Sequence, residues 1–377
     1  MACSLFLWVP DTHLTLQLRV GFLYAAGLGA LCVLISGGRK KIFRLHNLGL
    51  VGLFVGVSSM ALLVHSPLRD ALLGRPLLHP GVLSLWASVL CGYFWLQEQQ
   101  KTPVLTVYYG FASVWGVLNL LIQSSSERLG VLGVQVHYAS FLWLLAMVIG
   151  WWLFDQALSH RQLILGTQFF LLCCIILSGT RLTIVLALLT TLFYVVFAHR
   201  NRRSLLVVFA VGLGASIALV TLTSNRVTDA SYLAESISFR KSLVVAALPL
   251  SVPDLMFGGG IGAIETAISQ NSASSPLLAA SFAEGWIYES SHNYLIDLVV
   301  ERGLIAALVF VLLVIVALNN AFRVRSDDTR IHAAIVVVCI VYVLGNNINV
   351  QVEMILWMAL LPLLSLRSAR AIHIYSG

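Results

Sequence analysis

Long apolar runs separated by short polar punctuation dominate this chain. A helix needs roughly 20 apolar residues to cross a bilayer. On that ruler the pattern predicts eleven spans: 19–36, 45–65, 81–96, 104–122, 137–154, 163–178, 182–198, 205–223, 293–318, 331–345 and 352–366. Of the nine prolines only Pro362 falls inside a predicted span, and the others fall outside the spans, as expected of a residue that breaks helices. Connections are short except one. Residues 224–292 carry a helical pattern (SYLAESISFRKSLVVAAL), then PLSVPD, a glycine turn FGGGIG, a second helical piece and a serine-rich stretch. A loop of that length in a compact protein is functional or disordered, and this one is not of low complexity. The expected division is therefore an N-terminal bundle of about eight spans (1–223), a long loop (224–292) and about three C-terminal spans (293–377).

Composition turns the pattern into a class. The 377 residues are 59% apolar and 10% charged, with a mean hydropathy of +0.91, whereas soluble domains carry about 25% charged residues. The expected fold is an all-α, multi-pass membrane protein of about eleven or twelve transmembrane helices. Basic clusters GGRKKIFR (37–44), HRNRRS (199–204) and NNAFRVRSDDTR (319–330) fall on one side if the spans alternate, which makes that side cytoplasmic. It also places the N-terminus and the long loop outside. MACSLFLWVP lacks the basic start of a secretory signal and breaks at Pro10. Six cysteines form no C-x-x-C pair and read as small apolar residues. The long loop is acidic in balance, which excludes a nucleic-acid footprint.

Polar residues inside hydrocarbon are costly, so clusters of them mark candidate function. In SSHNYLIDLVVERGL (290–304), Asn293, Asp297 and Glu301 share one helical stripe, with His292 at its outer end. Two readings stand: an interhelical hydrogen-bonded brace, or a proton-handling site facing water. Arg181, in the minimal turn of LSGTRLTIVLALL (177–189), either snorkels to headgroups or points into the bundle. Arg240, in ISFRKSLVVAALPL (237–250), is an ion-pair partner or an anion clamp. FGGGIG (257–262) lacks the GK[ST] of a phosphate loop and reads as a tight turn. Asp327 and Asp328, flanked by basic residues, do not read as a metal site.

Three of these stretches in this order, SGTRLTIVLALL, FRKSLVVAALPLSVPDLMFGGGIG and SSHNYLIDLVVERGLIAALVF, resemble the O-antigen ligase and polymerase superfamily of bacterial inner membranes. The resemblance covers about 175–320, and the other spans by topology alone. It implies a GT-C-like membrane glycosyltransferase working at the periplasmic face. A glycan moves from undecaprenyl diphosphate to a sugar hydroxyl of lipid A–core in a ligase, or of a second lipid-linked repeat in a polymerase. The family's functional residues map to His292 as catalytic group and to Arg181 and Arg240 as diphosphate-binding groups, with Asn293, Asp297 and Glu301 in support. No metal and no cofactor is implied, and the partners are the two lipid-linked substrates and membrane lipids.

The chemistry agrees with this assignment. Breaking a sugar–diphosphate bond develops charge on the leaving oxygens, which arginine forks match bidentately. An imidazole, ordinarily titrating near ~6.5, suits the proton of the attacking alcohol. No serine or cysteine stands beside a base as a nucleophile, so a single displacement with inversion is expected. The spacing from arginine turn to HN motif, with one long loop, resembles the ligase branch. A polymerase of O-antigen or exopolysaccharide is the alternative. A lipid or anion transporter is the reading from another class, and it lacks the internal repeat such folds show.

Overall fold

The computed structural model describes residues 48–64, 80–97, 101–122, 136–156, 160–194, 230–260, 262–284, 288, 290–324, 326–346 and 350–366. Among them are thirteen α-helices and no strand. They run α1 Leu48–Val64, α2 Pro80–Gln97, α3 Lys101–Ile122, α4 Val136–Gln156, α5 Arg161–Leu177, α6 Arg181–Phe193, α7 Ala230–Ala247, α8 Val252–Phe257, α9 Ala263–Asn271, α10 Pro276–Ala283, α11 Tyr294–Val324, α12 Asp327–Val343 and α13 Val350–Leu364. Nine of the predicted spans coincide with helices α1–α6 and α11–α13 to within a few residues. The runs 19–36 and 205–223 lie outside the described residues. Three helices are long and apolar enough to cross a membrane alone: Lys101–Leu121, Val136–Gln156 and Tyr294–Val324. The described residues thus support three crossings on length and composition, and the count of eleven belongs to the sequence reading.

The described helices fall into two compact units. The first holds α3–α6. Its centre is α4, where all but one residue from Tyr138 to Phe154 is buried, as expected of a helix apolar all round. Side chains on its neighbours satisfy backbone carbonyls. Tyr108 Oη donates to the Leu142 carbonyl at 3.1 Å, Tyr109 Oη to Ile164 at 3.1 Å, and Gln168 Nε2 to Met147 at 2.8 Å.

The second unit holds α1, α2, most of α7, and α8–α13. Its axis is α13, buried from Val352 to Leu364 except at Met358. At Gly92 of α2 an added Cβ would strike the Trp357 carbonyl, so the missing side chain is what lets these two helices touch. Phe54 of α1 packs on Phe310 of α11 and Trp357 of α13, ring centres 5.8 and 5.6 Å apart. The long connection is folded. Leu243, Ala246 and Ala247 of α7, Ile264 and Ile268 of α9, and Leu278 of α10 form a buried core with Val300 of α11. This small apolar core gives the segment something to fold around, and it grips the first turns of α11.

Candidate functional site

In the first unit, α5 ends in a three-residue turn. The Ser178 hydroxyl donates to the Ile175 carbonyl at 2.6 Å, and Gly179 takes φ 67°, a left-handed conformation open to glycine at little cost. Thr180 then extends the chain into α6, whose first residue is the half-buried Arg181. The Thr183 hydroxyl bonds the Thr180 carbonyl at 2.8 Å and lies 3.1 Å from Ser140 Oγ. Ser140 in turn donates to the His137 carbonyl. Hydroxyls therefore fix the turn against the start of α4. An arginine at a helix N-terminus is the wrong charge for the helix dipole, by about 0.3–1 kcal/mol, so helix stability does not account for its placement.

In the second unit the polar stripe of α11 is anchored group by group. Asp297 accepts three hydrogen bonds, from Ser290 Oγ (2.6 Å), Ser291 N (2.9 Å) and Ser291 Oγ (2.6 Å). Asn293 Oδ1 caps the helix, accepting from the amides of Leu295 and Ile296. Between these anchors sits His292, half-buried at φ 58°, the one non-glycine residue with positive φ among the described residues. Its amide donates to Ser290 Oγ at 3.0 Å.

About three turns after His292, α11 breaks. Gly303 has φ 86° and ψ 162°, a region essentially reserved for glycine. The break frees the Val300 and Glu301 carbonyls, and the glycine turn of the long loop fills it. Gly259 N donates to the Val300 carbonyl at 2.7 Å and Gly260 N to that of Glu301 at 3.0 Å. A Cβ on either Gly258 or Gly303 would collide with the opposing backbone, so the two segments meet main chain to main chain. The Glu301 carboxylate accepts from the Gly262 amide at the start of α9, where the helix dipole favours an anion. Beside it, Arg302 pairs with Glu353 of α13 at 3.2 Å, both side chains less than 10% exposed.

Arg240, on α7, donates from Nη1 to the Gly345 carbonyl at 2.5 Å, just beyond the end of α12, where a cation is favoured. Phe239 packs edge-on against Tyr288 at 5.4 Å, which ties this part of α7 to the segment entering the His292 turn. The second unit thus contains Arg240, His292, Asn293, Asp297 and Glu301, and Arg181 belongs to the first. Among the described residues, no group of three or more His, Cys, Asp or Glu could hold a metal ion. Sequence reasoning passed over Ser290, Ser291, Gly303 and Glu353. The last had a signal, a lone carboxylate in the apolar run VQVEMILWMALL.

Residues 166–311 match the protein-family model described as O-antigen ligase. The matched stretch contains Arg181, the folded loop with Arg240, the His292 turn and the break at Gly303. It supports membership of the O-antigen ligase and polymerase superfamily. No curated protein and no solved structure matches the chain.

Proposed function

We propose that this chain, whose segment 166–311 matches the family model described as O-antigen ligase, transfers a glycan from undecaprenyl diphosphate to a sugar hydroxyl of lipid A–core at the periplasmic face of the bacterial inner membrane. Arg181 and Arg240 bind the diphosphate. His292 takes the acceptor proton as the hydroxyl oxygen attacks the anomeric carbon. The carbon–oxygen bond to phosphate breaks, its electron pair leaves with undecaprenyl diphosphate, and the new linkage has inverted configuration. The fixed guanidiniums meet the developing charge without a metal, and removing one of them should cost about 3–4 kcal/mol of transition-state stabilisation, as for a single oxyanion donor.

The observation that carries this reading is the state of His292. A left-handed, side-chain-bearing residue persists only where its surroundings over-determine it, and such residues gather at functional sites. Here the surroundings are a triply bonded Asp297 and a capping Asn293, inside the family-matched stretch. Arg181 adds a second argument. A guanidinium beside the N-terminal amides of α6 suits an anionic ligand better than it suits the helix.

The test is deletion, complementation and a lipopolysaccharide gel. Deletion of a ligase leaves core without any O-chain and lets lipid-linked polymer accumulate, and His292→Ala fails to restore the ladder. A single capped repeat per core would instead assign the polymerase reaction. A normal ladder from the His292→Ala strain would remove the catalytic assignment.

A further inference from the structure

Helix α8 lies in the connection between predicted spans, where an aqueous setting is the default expectation, yet its surface is apolar. Val252, Pro253, Met256 and Phe257 form two adjacent i, i+4 columns on one face, and all four are exposed, Val252 at 75% and Phe257 at 58%. Its single acid, Asp254, is engaged by the Ser251 hydroxyl at 2.6 Å rather than presented with that face.

The depth of α8 follows from α11. Gly303 divides α11 into 294–302 and 304–324, and the second piece, about 21 residues or ~32 Å at 1.5 Å per residue, has the length of the ~30 Å hydrocarbon core, which takes about 20 residues. At the far end the polar Asn319–Asn320 pair closes the apolar run at Leu318. Counting about 20 residues back from there puts the near edge of the core at Val299. Gly303 is then just inside that edge. The Met256 and Phe257 backbone lies against Gly303, and the next residues bond the Val300 and Glu301 carbonyls. Below the break, Leu308, Val311, Leu312 and Ile315 are exposed at helical i, i+3, i+4, i+7 spacing, which is the lipid-facing stripe of a spanning helix. The apolar face of α8 therefore continues, in depth, the surface α11 presents to hydrocarbon.

We propose that α8 is a membrane-interface helix, with Val252, Met256 and Phe257 inserted among the acyl chains and headgroups of the leaflet on the loop side. The glycine-to-glycine docking is what holds it at that level. The long connection is then partly a lipid-embedded element, irrespective of which glycan the protein handles.

The test uses the full chain with its six cysteines replaced, reconstituted in phosphatidylethanolamine–phosphatidylglycerol nanodiscs, with a bimane fluorophore on Phe257→Cys. Leu312→Cys is the lipid reference and Glu265→Cys, exposed on α9, the aqueous one. Quenching by shallow nitroxide lipids should exceed that at Glu265→Cys by about twofold or more, as for an interfacial helix, with iodide quenching correspondingly reduced. Iodide quenching equal to that of Glu265→Cys would overturn the proposal. So would protection from both quenchers, which would indicate a second copy or a protein partner on this face. Val252→Cys, on the same face, must give the same order and serves where the Phe257 variant does not fold.

Discussion

The SGTR turn of the first unit and the SSHN turn of the second solve one problem in opposite ways. Each presents an ionisable residue at the start of an apolar helix through a left-handed kink. In the first, Gly179 adopts the kink at φ 67°, and Arg181 sits in ordinary helical geometry one residue past the Thr180 cap. In the second, His292 itself adopts φ 58°, a conformation that costs a side-chain-bearing residue roughly 1–2 kcal/mol. The fold offsets that cost with the Ser290–Ser291–Asp297 bonds and with a loop docked about two to three turns below. A positioned cation needs only a short hydroxyl-stitched turn. A strained imidazole needs a surrounding structure.

The contrast can be broken at several points. Arg302→Ala should have the largest effect, because it strands the Glu353 carboxylate in the core of the second unit. Losing one partner of a buried pair costs about 3–5 kcal/mol, readable as a fall in the unfolding midpoint in detergent. The double change Arg302→Met with Glu353→Leu should recover much of it. Asp297→Ala comes next. It removes the acceptor for two serine hydroxyls and an amide, worth about 1.5–3 kcal/mol for bonds to a charged group, and should loosen the His292 turn to amide exchange while sparing the Arg181 turn. Ser178→Ala deletes a neutral hydroxyl that donates to the Ile175 carbonyl at 2.6 Å and accepts a longer bond from the Thr180 amide at 3.3 Å, and should cost about 1 kcal/mol, seen as faster exchange at Gly179 and Thr180. The smallest shift is at His292. His292→Gly exchanges the strain of that φ for the loss of the imidazole's own contacts, and should change stability by no more than about 1 kcal/mol.

What the sequence revealed follows from the kind of atom involved. The helices α1–α6 and α11–α13 were visible because apolar runs of membrane length are a side-chain signal. The Asp297 anchors were within reach, being six and seven residues away in a serine pair that precedes the helix. The docking at Gly303 was not. Its partners, Gly258 to Gly260, are more than 40 residues distant, and the bonds join main-chain amides to main-chain carbonyls, which leave no mark beyond the glycines that permit close approach. Arg240 is similar, since its acceptor is the Gly345 carbonyl. Glu353 could be seen as an isolated carboxylate in an apolar run, but its pairing with Arg302 across 51 residues required the fold.

On the proposed function, the strain at His292 is kept for chemistry. The most direct measurement compares wild type and His292→Gly, purified as full chains in one bilayer composition, for transfer of glycan from undecaprenyl diphosphate to lipid A–core. The expected variant is within about 1 kcal/mol of wild type in stability, and its transfer rate falls by about 10²-fold or more, the range for losing a general base. A glycine variant that transfers glycan at the wild-type rate would contradict it.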